Sequence, residues 1–113
     1  MQLRDKNILE KIILVINESE ELFTHVPKEK FLKNNLFKLS ASMNVIRIGE
    51  LVKHLTDEFR KQNSHIAWRD ITGFRDIASH KYDIIDMNEL YDTIKNDFSE
   101  LKMQIEKILA ESE

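Results

Sequence analysis

Residues 4–24 read RDKNILEKIILVINESEELFT, and apolar side chains recur in this stretch at steps of three and four residues. Side chains at that spacing share one face of an α-helix, because one turn takes 3.6 residues. The shared face consists of Ile8, Ile12, Val15, Ile16, Ser19, Leu22 and Phe23. The pattern predicts a first helix over residues 4–24, and Pro27 then suits the first turn of the next helix.

The same helical spacing continues from Phe31 to Phe59 without a proline or a cluster of turn residues. It predicts a second helix of about 33 residues that ends near Lys61. Gly49 lies inside this helix and predicts a close crossing with another helix, because glycine there costs about 1 kcal/mol relative to alanine. The polar residues 62–65 predict a loop after it.

Two further helices follow this loop. Apolar spacing predicts a short third helix that begins at Trp68 and fades between His80 and Asp83. Residues 86–89 read DMNE and have the form of a capping box, so a fourth helix begins there and continues nearly to the end of the chain. The predicted fold is all-α: one domain over residues 1–113, an up-and-down four-helix bundle with one long second helix and a short third helix.

Composition excludes several classes of protein. The 113 residues include two glycines and one proline, too few for turn-rich all-β folds, and no cysteine, which excludes disulfide scaffolds, zinc fingers and thiol nucleophiles. The longest uncharged apolar stretch, residues 12–16, is far shorter than a membrane span needs, and no signal peptide pattern opens the chain. We expect a soluble, cytoplasmic protein without a membrane partner.

Charge is unevenly distributed along the chain. The net charge of −3 argues against a nucleic-acid binder that relies on a basic surface. Residues 28–47 nevertheless carry five basic side chains against one acidic, and residues 82–113 carry nine acidic against three basic. One face could therefore meet a polyanion while another repels it or docks a basic partner, although solvated helix faces explain the same pattern.

Histidines are the first candidates for chemistry. His25 lies at a predicted helix break and His65 in a predicted loop, and neither has a sequence neighbour that suggests a role. His54 has Glu50, Asp57 and Glu58 as helical neighbours. A metal could touch that face, but bundle metal sites draw ligands from facing helices, so a salt-bridged surface patch is the favoured interpretation.

His80 lies in a different setting, the run GFRDIASHKYD of residues 73–83. This run places Arg75, His80, Lys81 and Tyr82 within eight positions at the end of the third helix. A guanidinium binds phosphoryl oxygens and an imidazole moves protons near neutral pH, so one interpretation is a phosphate site. The other is a helix C-terminus whose cations interact favourably with the helix dipole.

Three segments taken together resemble the HepT-like branch of the HEPN superfamily. They are IRIGE at residues 46–50, IAWRDITGFRD at 66–76 and HKY at 80–82. In that family an Ile-Gly-Glu lies midway along a long helix, a Trp opens the third helix, and an Arg, four residues, a His, one residue and a Tyr close it. Arg75, His80 and Tyr82 occupy those last three positions.

The resemblance implies the toxin of a two-gene toxin–antitoxin module: a homodimeric endoribonuclease that needs neither metal nor cofactor. It implies that His80 acts as general base or acid and that Arg75 neutralises the scissile phosphate of single-stranded RNA. Asp76 would orient Arg75, and Lys81 would contact a neighbouring phosphate. Tyr82 would be the acceptor on which a partner nucleotidyltransferase places adenylyl groups.

Two other hypotheses remain open at this point. The domain could be a catalytically idle adaptor that binds the nucleotidyltransferase or a nucleotide, which an Arg75 or His80 buried in salt bridges would support. It could also be a purely structural bundle, which a monomer with residues 75–82 scattered over a solvated surface would support.

Overall fold

The computed structural model describes residues 1–112 and is helical almost throughout. A 3-10 turn, Tyr82–Ile84, follows the fifth helix, and a π-helical turn, Thr93–Asp97, joins the last two. Residues 1–112 form no strand, so the all-α prediction is confirmed. The helices are α1 (Leu3–Phe23), α2 (Lys28–Leu32), α3 (Asn35–Lys53), α4 (Asp57–Gln62), α5 (Trp68–His80), α6 (Met87–Asp92) and α7 (Phe98–Glu111).

The prediction of one continuous helix of about 33 residues is wrong, because two polar caps divide it into α2, α3 and α4. The Asn34 side chain accepts a hydrogen bond from the Phe37 backbone N–H at 3.0 Å and so begins α3. The Thr56 hydroxyl accepts from the Phe59 N–H at 3.2 Å and begins α4 in the same way. Caps of this kind satisfy backbone donors that a new helix leaves free, so each break costs little.

The other helix predictions are confirmed with small shifts at the ends. The first helix is Leu3–Phe23, and α5 begins at Trp68 and ends at His80. The Asp86 side chain accepts hydrogen bonds from the backbone N–H groups of Asn88 and Glu89 and caps α6, as the sequence indicates. The π-helical turn in the last helix was not predicted, since apolar spacing alone does not reveal one extra residue.

The core lies among α1, α3, α5 and the C-terminal helices. The most extensive helix contact joins α3 to α5, and α1 packs against both α3 and α7. This arrangement is a helical bundle whose second long helix, α3, supports the short helix that carries the motif. The fully buried large side chains include Leu9, Ile12, Ile16, Phe23, Phe31, Ile48, Val52, Leu90 and Ile105.

Helices α3 and α5 pack closely together at Gly49, so the predicted close crossing is confirmed. A Cβ built on Gly49 would overlap the Cβ of Arg75 and come within 2.6 Å of its Cγ. The stem of Arg75 therefore lies directly on the backbone of α3. A glycine is needed here because any side chain would push the two helices apart.

Asp5 ties the start of α1 to the junction between α3 and α4. Asp5 is 2% exposed, and its carboxylate accepts two hydrogen bonds from Thr56, one from the backbone N–H at 2.9 Å and one from the hydroxyl at 2.8 Å. The Thr56 hydroxyl thus donates to Asp5 while it accepts from Phe59. The buried acid therefore ties the start of α4, which follows closely after Lys53 and His54, to α1.

Candidate functional site

The predicted site residues lie along the second half of α5 and the turn that follows it. Arg75 lies in the middle of the helix and His80 is its last residue. Lys81 leaves helical geometry, with φ −136° and ψ 39°, and Tyr82 begins the 3-10 turn. His80 is therefore still helical, and its side chain leaves α5 about 140° around the helix axis from that of Arg75, five residues earlier.

Arg75 is held on the surface of α3 by two carboxylates. Its guanidinium Nη2 lies 2.8 Å from Oε2 of Glu50, and its Nη1 lies 3.2 Å from Oδ1 of Asp76. The side chain is 18% exposed, and its Nε is buried without a hydrogen-bond partner. The guanidinium is thus anchored from two sides while part of it still faces solvent.

Asp76 is shared between two cations. Its Oδ1 accepts a hydrogen bond from Lys53 Nζ at 2.8 Å, shorter than the contact from Arg75. The Lys53 hydrogen bond lowers the pKa of the Asp76 carboxyl, and the hydrogen bond from Arg75 lowers that pKa further. Asp76 is therefore a carboxylate at neutral pH, and its main partner is Lys53 on α3.

His80 and Lys81 are exposed at the end of α5. Among the side-chain contacts of residues 1–112, no hydrogen bond or ion pair holds either of them, and none joins His80 to Arg75. Tyr82 is half-buried, and its ring packs against the core. The structure thus brings Arg75 and Asp76 into one network with α3 and leaves the imidazole of His80 open to solvent.

None of the other histidines contacts Arg75, and His54 meets the network only through Glu50. His54 Nε2 lies 3.7 Å from Oε1 of Glu50, a surface pair of the kind predicted. His25 is exposed between α1 and α2, and His65 lies at the edge of a cleft. Within residues 1–112, no group of three or more acidic or histidine side chains is arranged to hold a metal ion.

A cleft of roughly 640 Å3 opens between α5 and the C-terminal helices, and neither Arg75 nor His80 lines it. Burial raises the pKa of the Asp97 carboxyl at its rim, and the negative charges of Glu100 and Asp92 raise that pKa further. The apolar part of its lining consists of Val45, Ile48, Ile71, Phe74, Phe98 and Leu101. Four carboxylates, Asp70, Glu89, Asp97 and Glu100, outnumber the one arginine of the lining, Arg69. This excess of negative charge repels phosphates, so the cleft is unsuited to RNA.

Comparison of the sequence with models of known protein families shows which family the chain belongs to. The family model described as "Ribonuclease HepT-like" matches residues 12–108, nearly the whole described chain. The chain belongs to the HepT-like ribonuclease family. This result confirms the resemblance carried by the IRIGE, IAWRDITGFRD and HKY segments.

Several curated proteins are similar to this HepT-like chain. "Probable ribonuclease HepT" of Thermococcus cleftensis is 31% identical over 110 residues, which cover 96% of this chain and 98% of the relative. "Putative RNase TTE0752" of Caldanaerobacter subterraneus is 32% identical over 98 residues, which cover 84% of this chain and 88% of the relative. No solved structure matches the chain significantly.

A further relative is a longer protein. "Gamma-glutamylcyclotransferase and putative RNase MJ0434" of Methanocaldococcus jannaschii is 33% identical over 100 residues. These residues cover 85% of the HepT-like chain and 45% of the relative, so the chain spans less than half the length of that protein. Separately, no helix formed by residues 1–112 combines the length and the apolar character needed to cross a membrane.

Sequence reasoning placed Arg75 and Asp76 together but did not find Glu50 and Lys53 as their partners. Both partners lie on α3, more than twenty positions before Arg75, and no spacing rule connects helices that far apart. The available signal was the Gly49-Glu50 pair. A glycine that marks a helix crossing places the next residue at the edge of that crossing.

Proposed function

We propose that this HepT-like chain is a metal-independent endoribonuclease that cleaves single-stranded RNA with Arg75 and His80. The observation that supports it most directly is that one helix, α5, carries both an anchored guanidinium and an exposed imidazole in a chain of a ribonuclease family. Asp76 orients Arg75, and Lys81 contacts a neighbouring phosphate. The whole chain, residues 1–113, acts as one domain in the cytoplasm.

The proposed reaction uses the RNA's own 2′-hydroxyl as nucleophile. His80 removes the proton from that hydroxyl, O2′ bonds to phosphorus, and the bond from phosphorus to O5′ breaks. The products are a 2′,3′-cyclic phosphate and a 5′-hydroxyl, whose proton comes from a protonated imidazole or from water. Arg75 stabilises the charge that develops on the phosphoryl oxygens, which a pre-positioned guanidinium does better than a mobile one.

A second copy of the chain completes this site in the proposal. One shallow helix end offers little surface to RNA, whereas two copies around a two-fold axis form a groove. Exposed apolar side chains on both sides of His80 support such a contact, since Ile77 is 42% and Ile84 74% exposed. Isoleucine side chains beside a catalytic group gain more from a protein partner than from water.

Control of the enzyme is proposed to act through Tyr82. A nucleotidyltransferase antitoxin would transfer the AMP moiety of ATP to the Tyr82 hydroxyl and release pyrophosphate. Tyr82 lies two residues beyond His80, with its ring packed on the core, so the added phosphate would stand beside the RNA site. A negative charge and added bulk in that position would repel the substrate.

One observation favours the adaptor hypothesis. Arg75 is largely shielded and is paired with two carboxylates, the arrangement expected of a domain that binds a nucleotidyltransferase or a nucleotide without catalysis. His80 does not share this feature, because it is exposed and free of ion pairs within residues 1–112. Activity of the purified protein therefore separates the two functions.

The deciding experiment compares RNA cleavage by the unmodified protein and its His80→Ala variant in the presence of a chelator. Intact mass excludes prior modification of Tyr82. We expect His80→Ala to lower the rate by a factor of 100 or more, on the order of what general acid–base catalysis contributes. His25→Ala is the matched control, since it also removes an exposed histidine, and it should cleave like wild type.

Two results would contradict the proposal. Equal cleavage by wild type and His80→Ala would show that His80 is not catalytic. No cleavage by the unmodified wild type across several RNA pools would leave the adaptor function as the better account of the site.

A further inference from the structure

The carboxylate of Glu50 is placed differently from that of Asp76. Asp76 directs one oxygen, Oδ1, at both Lys53 and Arg75, and the Lys53 contact is the shorter. Glu50 uses separate oxygens: Oε2 lies 2.8 Å from Arg75 Nη2, and Oε1 lies 3.7 Å from His54. One oxygen of Glu50 is therefore available to Arg75 alone, at the shortest distance that the guanidinium makes.

The stem of Arg75 leaves few positions for its head group. Gly49 lets the Cβ and Cγ of Arg75 lie against the α3 backbone, and Glu50 is the next residue on that helix. The guanidinium is thus directed toward Glu50 by the same crossing that fixes its stem. A free arginine side chain carries about 2 kcal/mol of rotamer entropy, so restricting it before the substrate arrives removes a cost from the reaction.

We infer that Glu50 is a positioning residue for Arg75, which holds the guanidinium in the orientation that receives the scissile phosphate. This inference rests on the proposed ribonuclease function. It means that a residue of α3 influences the reaction carried out by residues of α5. Glu50 contacts no reacting atom. It acts on the rate through the direction of the guanidinium, and it adds to the longer contact by which Asp76 orients Arg75.

The inference predicts that Glu50→Gln lowers kcat without raising KM. Loss of the charged pair lets Arg75 leave its position, so kcat should fall roughly tenfold, within the hundredfold that a 1 Å misplacement can cost. Removing a negative charge next to the phosphate site should at the same time leave KM unchanged or lower it. A residue with a purely structural role would not separate the two constants in this way.

Glu58→Gln is the matched control. Glu58 is an exposed helical glutamate on α4, and the variant changes the net charge by the same amount without a contact to Arg75. We expect it to keep the wild-type kcat. Glu50→Gln should also have little effect when Arg75 has been changed to Lys, because a lysine has no fork for Glu50 to orient.

A second measurement does not depend on activity. The Nε–H of Arg75, buried in the structure, should give a dispersed NMR signal in wild type that Arg75→Lys removes and thereby identifies. In Glu50→Gln this signal should move to the position of exposed arginines, while Glu58→Gln leaves it in place. Circular dichroism confirms that each variant is folded.

The outcomes separate this inference from the proposed function. An unchanged Arg75 signal in Glu50→Gln overturns the inference, as does an unchanged or raised kcat. The signal could move as expected in Glu50→Gln while the wild type cleaves no RNA. That result would retain Glu50 as the anchor of Arg75 but overturn its part in catalysis, together with the proposed function. A rise in KM alone would make Glu50 a substrate-binding residue and also overturn the inference.

Discussion

Arg75 and His80 are five residues apart and are held very differently by the protein. The guanidinium of Arg75 is fixed by a glycine beneath its stem and by two carboxylates, whereas the imidazole of His80 projects from a helix end into solvent. A charge-stabilising group gains from a fixed position. A proton-transfer group instead needs access to both the substrate and the solvent that restores its protonation state.

Asp5 leads to a prediction at the scale of single residues. Asp5→Ala leaves the backbone N–H and the hydroxyl of Thr56 without their carboxylate acceptor. Because hydrogen bonds to a charged group are the strong ones, the free energy of unfolding should fall by about 3 kcal/mol. Asp5→Asn keeps one acceptor oxygen and should cost about 1 kcal/mol. Urea unfolding of both variants measures these changes. Equal stability of Asp5→Ala and wild type would show that Thr56 does not depend on Asp5.

The sequence alone could predict candidate site residues on α5 but not their environment. Arg75, His80 and Tyr82 follow a local spacing that a family motif records, so they can be proposed without a structure. The anchors Glu50 and Lys53 reach Arg75 and Asp76 only because two helices cross at Gly49. Asp5 was missed for the same reason, since its partner Thr56 is 51 positions away.

At the scale of helices, the predicted second helix, which the structure divides into α2, α3 and α4, shows that apolar spacing does not reveal where a helix ends. Phe31, Val45 and Phe59 are all buried, one on each of α2, α3 and α4, so the hydrophobic pattern continues across both breaks. Asparagine and threonine also occur inside helices, so neither Asn34 nor Thr56 by itself indicates that a helix ends. The breaks depend on side-chain hydrogen bonds to the new helix, one of them reinforced from α1, which a one-dimensional pattern does not contain.

The two glycines of the chain provide a matched pair of helix variants. Gly49→Ala should destabilise the protein by about 1–3 kcal/mol, because the new Cβ would overlap the stem of Arg75 and force α3 and α5 apart. Gly73→Ala should stabilise it by about 0.5–1 kcal/mol, since a Cβ there meets nothing within 4 Å. Thermal unfolding compares the two. A melting temperature of Gly49→Ala equal to or above that of the wild type would contradict the crossing at Gly49.

At the scale of the whole molecule, the acidic cleft and the region around Arg75 are separate parts of the surface. The carboxylates around the cleft disfavour RNA there, and the cations available to phosphate near His80 are few, chiefly Arg75 and Lys81. The net charge of −3 adds no general attraction for nucleic acid. An RNA site at Arg75 and Lys81, as proposed, therefore relies on few phosphate contacts.

This charge distribution predicts a shallow salt dependence. With about two phosphates neutralised per site, KM for a single-stranded oligonucleotide should rise less than about tenfold between 50 and 200 mM salt. Initial rates at several salt concentrations measure the slope. A rise of a hundredfold or more would indicate an extended basic surface, such as one that includes the five basic side chains of residues 28–47, and would contradict an RNA site that relies on Arg75 and Lys81.

The π-helical turn between α6 and α7 also affects how the chain can change length during evolution. This turn holds one residue more than an α-helical turn would, and Lys95 within it donates a hydrogen bond to the Phe23 carbonyl at the end of α1. Losing one residue from Thr93–Asp97 would leave the buried faces of both helices aligned. Losing one anywhere else in this helix would rotate everything beyond it by about 100°. Single-residue deletions in related chains should therefore concentrate at this turn.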